Sequence, residues 1–145
     1  MEKFNIDYGK ARQLAEKYFV KMKYHCSEAS TRAILETLHG SADPMLIKVS
    51  TSFMGGIAGS SQHICGAVSG GLIVLGSIFG RSEADVNDDL LAKIGKEYLE
   101  NFTNAFEANS VNCDELRAKR TAPSCAPYVE YAVIEALKLI EKYQN

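Results

Sequence analysis

A chain of 145 residues, 46% hydrophobic and 23% charged with a net charge of −2, is long enough to bury ~70% of its unfolded surface around one core. That balance excludes a nucleic-acid surface of clustered Lys and Arg, and it leaves neither an acidic tail nor a low-complexity tract. The N-terminal MEKFNIDYGK mixes charges of both signs before any apolar run, so no secretory leader is expected and the reading is cytoplasmic, with thiols kept reduced.

In chain order, residues 7 to 24 place Ala11, Leu14, Ala15, Tyr18, Phe19 and Met22 on one face at helical spacing, which predicts a first helix. His25-Cys26-Ser27-Glu28 interrupts it, and a second helix runs to about Leu38, with Ala29, Ala33 and Ile34 inward and His39-Gly40 at its end. Asp43-Pro44, a cap followed by a proline in the first helical position, opens a short third helix through Leu46, Ile47 and Val49. Gly59-Ser60-Ser61 then leads into a fourth helix, expected from about Gln62 to Phe79 and closed by Gly80-Arg81.

Ser82 with Asp85 reads as the cap of a fifth helix, the longest, carrying Leu91, Ile94, Tyr98, Phe102, Ala105 and Phe106 inward to about Ala108. Asn112-Cys113-Asp114-Glu115 starts a short sixth helix. Thr121-Ala122-Pro123 breaks the chain, and Ser124-Cys125-Ala126-Pro127 opens the last helix, with Val129, Ala132, Val133, Ala136, Leu137 and Ile140 inward. No segment alternates with period two, so the expectation is an all-α, single-domain helical bundle spanning residues 1–145.

Phe53 to Gly80 holds no charged residue, which makes this stretch the least solvated part of the chain and its helix the buried, glycine-containing centre of the bundle. From Ile64 to Phe79 it is 16 residues, short of the ~17 a membrane span needs, and amphipathic segments on both sides require something to pack on. A core helix is therefore expected rather than a membrane span. Gly66, Gly70, Gly71 and Gly76 would permit close helix contact or keep space open beside Cys65.

The cysteines carry the functional lead. Cys26, Cys65, Cys113 and Cys125 all fall at the start of a predicted helix, where unpaired backbone N–H groups and the helix dipole favour a thiolate. Each stands three or four residues ahead of an inward position (Ala29, Val68, Leu116, Val129), so four sulfurs are expected to face one interior pocket. Their separations contain no C-x-x-C, which argues against a zinc ribbon, a thioredoxin motif or covalent haem. His25 beside Cys26 and His63 two before Cys65 are possible auxiliary ligands, bases or thiolate partners, against the blander reading of solvated or capping histidines. Arg117, Lys119 and Arg120 form either a solvated face or a cationic partner for a thiolate. Gly55-Gly56-Ile57-Ala58-Gly59 could cradle an anion, although it lacks a P-loop ending.

Those features resemble one family: the Cys26-Ser27-Glu28-Ala29 helix start, Phe53-Met54-Gly55-Gly56, Cys65-Gly66-Ala67-Val68-Ser69-Gly70, Gly80-Arg81, and the cysteines 113 and 125 before their helices. The chain is similar over nearly its whole length to the small four-cysteine C_GCAxxG_C_C proteins, whose name writes GCAxxG where this chain reads CGAxxG. The resemblance implies a redox role for the four cysteines without an established reaction. Three functions compete on sequence grounds. The favoured one is a metal or iron–sulfur centre held by four thiolates for electron transfer. The second is a thiol–disulfide protein cycling one or two cysteine pairs. The third is a helical interaction module with structural cysteines. Whether the protein is an enzyme, which redox partner it meets and whether it forms a homo-oligomer are open at this level.

Overall fold

The computed structural model describes residues 3–144, and the fold is all-α. Its helices are α1 (Tyr8–Glu16), α2 (Cys26–His39), α3 (Pro44–Thr51), α4 (Gly66–Phe79), α5 (Asp89–Ala105), α6 (Cys113–Lys119) and α7 (Ala126–Tyr143). Among the described residues no helix is long and apolar enough to cross a membrane. The uncharged stretch is divided into an irregular loop and the 14-residue α4.

Helix α4 packs most extensively against α2 and also contacts α7, α5 and α3, while α7 contacts α1, α2 and α5. The α2–α4 contact is close because small residues meet there. A Cβ added at Gly70 would lie 2.7 Å from Ser27 O and 2.9 Å from Thr31 Oγ1, and would also collide with Ser30 Oγ. Gly71 is likewise occupied from outside: its missing side chain leaves room for the Tyr98 ring, whose Cζ would stand 2.6 Å from an added Cβ. Gly76 differs from these expectations, since nothing lies within 4 Å of where its Cβ would be.

Several boundaries depart from the periodicity. The first helix leaves α geometry after Glu16 and widens into a π-helical turn, Lys17–Lys21, which brings Tyr18 inward so that its hydroxyl donates to the Glu36 carboxylate. The fourth helix starts at Gly66 rather than near Gln62, because residues 63–65 are committed to a long-range pairing with 111–113. The fifth starts at Asp89 with Asp88 as its cap, rather than being capped at Ser82. Arg81 gathers the chain ahead of it into a loop, donating from Nη1 to the carbonyls of Ala84 and Val86 at 2.6 Å each, with Nη2 3.6 Å from Asp88. That helix has 17 residues, so α7 with 18 is the longest.

The Asp43-Pro44 start holds as expected: Asp43 Oδ1 accepts from Met45 N–H at 2.9 Å, and Pro44 occupies the first turn where no amide donor is needed. Asp43→Ala is expected to lower stability by about 1 kcal/mol and the melting temperature by roughly 2–4 °C, measured by thermal denaturation. An unchanged melting temperature would show that the cap contributes nothing.

Candidate functional site

Cys65 and Cys113 are brought together by one antiparallel bridge between Ile64 and Asn112. Cys65 N–H donates to Val111 O at 2.7 Å, and Cys113 N–H donates to His63 O at 2.8 Å. Each cysteine is one residue from the bridging pair, so the two project to the same side as diagonal neighbours. Immediately after the bridge each chain enters a helix: Cys65 is the N-cap of α4, and Cys113 is the first residue of α6.

Cys26, the first residue of α2, packs its Sγ against Gly66, where any Cβ would collide with the sulfur and lie 3.1 Å from Phe53 O. The glycine after Cys65 thus makes the place for a second cysteine. Cys125 is the N-cap of α7, and its Sγ accepts a hydrogen bond from Arg120 Nη1 at 3.0 Å. Cys65 and Cys113 are buried, Cys26 and Cys125 are partly exposed, and all four are free thiols.

The sulfurs feel one another electrostatically. Burial pushes the Cys65 thiol from 9.0 up to about 12, and negative charge on Cys26 or Cys113 pushes the same way. The N–H groups of Val68 and Ala67 at the head of α4 act in the opposite direction but do not prevail. Burial also raises Cys113, aided by charge on Cys26 and Cys125 and opposed by the Arg117 guanidinium. The expectation of four thiolates activated by helix N-termini therefore fails at Cys65 and Cys113, because desolvation of a buried sulfur outweighs a few aligned amides.

The electrostatic couplings run from Cys125 to Cys113, and from Cys113 to Cys26 and Cys65. Cys113 is thus coupled to each of the other three sulfurs. Its approach is fixed by Gly56, where an added Cβ would lie 2.7 Å from Cys113 Cβ. The run Gly55–Gly59 has positive φ throughout, at 51°, 77°, 72°, 53° and 70°. Its expected use as an anion cradle does not fit this conformation. The N–H groups of Ala58, Gly59 and Ser61 are spent on Ser52 O, Met54 O and Gly55 O at 2.9, 3.0 and 2.8 Å.

Of the auxiliary candidates, Arg120 touches a sulfur and the histidines do not. His25 is exposed and caps α2, its N–H bonded to Glu28 Oε1 at 3.0 Å, and His63 is exposed and holds Cys113 through its carbonyl. Among the described residues neither imidazole is hydrogen-bonded to a cysteine. Sequence reasoning passed over two tyrosines. Tyr98, fully buried, donates to Ala132 O at 3.4 Å, and burial followed by charge on Cys65 raises its phenol far above the usual range. Tyr128 donates to Leu116 O at 2.6 Å, tying α7 to α6, and its phenol is raised by burial and then by charge on Cys125 and Cys65. Tyr98 was legible only as one member of an apolar stripe; the sequence signal was its pairing with Gly71, which needs the third dimension.

The sequence profile described as "Putative redox-active protein (C_GCAxxG_C_C)" matches residues 24–139, a span that includes all four cysteines. The chain belongs to that family. The C_GCAxxG_C_C match begins at Tyr24, so α1 and its π turn lie outside it, whereas every helix start that carries a sulfur lies within. No curated protein and no solved structure matches this C_GCAxxG_C_C chain. A metal or cluster would need a converging donor set, and among the described residues no three His, Cys, Asp or Glu side chains are arranged to hold a metal ion. The four thiols as placed do not fit such a group.

Proposed function

We propose that this redox-active family member works by thiol–disulfide exchange, with Cys125 and Cys113 as the outer pair and Cys26 and Cys65 as the inner pair. The observation that carries the reading is the graded order of the sulfurs. Cys125 is partly exposed and holds an arginine donor, where exchange develops negative charge; Cys113 is buried and coupled to it, and Cys65, the most strongly raised, is buried too.

In the outer step the Cys125 thiolate attacks a substrate disulfide RS–SR. The Cys125–SR bond forms and RS⁻ leaves. Cys113, having released its proton to solvent, attacks Cys125 Sγ and expels the second RS⁻. Both leaving thiolates take up a proton, so two protein thiols lose two electrons and RS–SR becomes two RSH. Exchange inward then regenerates the outer pair by moving the disulfide to Cys26 and Cys65 through the same type of step.

Titration of accessible thiols before and after diamide, with peptide mapping, tests this. Treatment is expected to remove two thiols and then four, with Cys113–Cys125 the first disulfide, and Cys113→Ser is expected to trap substrate as a mixed disulfide on Cys125. A thiol count unchanged by diamide would overturn the proposal, as would stoichiometric iron or zinc in oxygen-protected protein.

A further inference from the structure

The end of α5 and the junction of α6 with α7 form an open cleft of about 460 Å³, within the size range of small-molecule sites, whose lining reaches Ser124, the residue before Cys125. Its apolar wall is Phe106 and Tyr128, whose rings meet edge to face with centroids 4.7 Å apart. Lys119, Arg120 and Glu107 line it, and Thr121 and Ser124 add hydroxyls. Among the described residues none of these three charged groups is in a salt bridge. Arg120 joins the cleft to the chemistry, since it lines the cleft and donates to Cys125 Sγ at 3.0 Å.

An aromatic wall, two cations and one carboxylate, joined through Arg120 to the Cys125 sulfur, point to a class of ligand. We infer that the cleft takes a small amino-acid or short-peptide thiol, or its disulfide, with carboxylates toward Lys119 and Arg120, ammonium toward Glu107 and methylenes against Phe106 and Tyr128. The inference rests on the exchange reading above and names the substrate class of its outer step. A protein disulfide would be driven by area buried on a flat face rather than by three charges around a concave one. The sulfur of such a ligand reaches Cys125 from the Arg120 side, and bonds change as already described: one S–S bond forms at Cys125 while the ligand's own S–S bond breaks.

The test uses the full reduced chain and two probes. One is 2,2′-dithiodipyridine, a neutral disulfide that reports Cys125 reactivity by mass spectrometry. The other is S-methylglutathione, which carries two carboxylates and an ammonium but cannot exchange. Millimolar S-methylglutathione is expected to protect Cys125 saturably, and Lys119→Gln and Glu107→Gln, both at exposed positions, are each expected to weaken protection at least threefold when measured against that variant's own unprotected rate. Absence of protection, or protection indifferent to both substitutions, overturns the cleft assignment and leaves exchange standing. Stronger protection in Glu107→Gln overturns the ammonium contact and with it the ligand class. Failure of Cys125 to react with 2,2′-dithiodipyridine overturns the exchange reading itself.

Discussion

At pH 7 Cys65 should alkylate at least roughly thirtyfold more slowly than an unperturbed thiol. A thiol at its ordinary value of 9.0 is about 1% thiolate at that pH, whereas one at about 12 is about 0.001%. Only the thiolate attacks iodoacetamide; its greater basicity recovers roughly a factor of 15–30 of that ratio, and the 6% exposure of Cys65 slows the reaction further. Timed labelling of reduced protein, read peptide by peptide, should mark Cys125 early and Cys65 last. Equal labelling of the two would show that Cys65 is not held neutral by burial.

The same shift fixes how stability responds to alkali. Above pH 9 the unfolded chain loses the Cys65 proton while the folded chain keeps it, so the unfolded state binds fewer protons and folding weakens as pH rises. The loss is confined to the window from 9 to about 12 and approaches about 4 kcal/mol at its upper end. Below pH 9 this group contributes no slope, and raised Cys113, Tyr98 and Tyr128 steepen the alkaline limb in the same sense.

Gly70→Ala and Gly76→Ala should move stability in opposite directions, although both replace a glycine inside α4. Alanine is worth up to about 1 kcal/mol over glycine in a helix. At Gly76 nothing opposes that gain, since no atom lies within 4 Å of the new methyl. At Gly70 the methyl would sit 2.7 Å from a backbone oxygen, Ser27 O, and would press on Ser30 and Thr31 as well. A backbone atom cannot rotate away, so α2 and α4 must part. The net expectation for Gly70→Ala is a loss of about 2 kcal/mol, or roughly 4–8 °C in melting temperature; for Gly76→Ala it is a small gain. Denaturant midpoints of the two variants decide it, and a stabilised Gly70→Ala would remove the argument for a tight α2–α4 contact.

The helices were legible where local chemistry decides them. Asp43-Pro44 marks its helix start by capping, and the stripe of Ile94, Tyr98 and Phe102 faces inward as its spacing requires. Boundaries set by distant residues were not. Ser82 has the residue type of a cap, yet the Arg81 guanidinium binds the following carbonyls and postpones the helix by six residues, the cap falling at Asp88. Gln62 could begin a helix on propensity, but pairing across 48 residues of chain claims positions 63–65, and no local pattern announces a single bridge. The candidate site divides in the same way. That cysteines 26, 65, 113 and 125 stand at helix starts follows from capping context. That two of them are too deeply buried to ionise easily follows from packing, which periodicity does not rank.

The turn from Gly55 to Gly59 has one more consequence, which is stereochemical. With all five φ angles positive, it is a turn of left-handed φ built partly from L-residues. Ile57 and Ala58 hold a handedness that puts Cβ against the next carbonyl, at roughly 1–2 kcal/mol each. D-alanine would sit at 58 without that contact. Among coded residues the usual preference inverts: glycine, which loosens a right-handed helix, is here the residue of least strain, and a β-branched side chain is the worst choice. The segment beside Cys113 is therefore the longest run among the described residues, five in a row, where substitution obeys rules of the opposite hand.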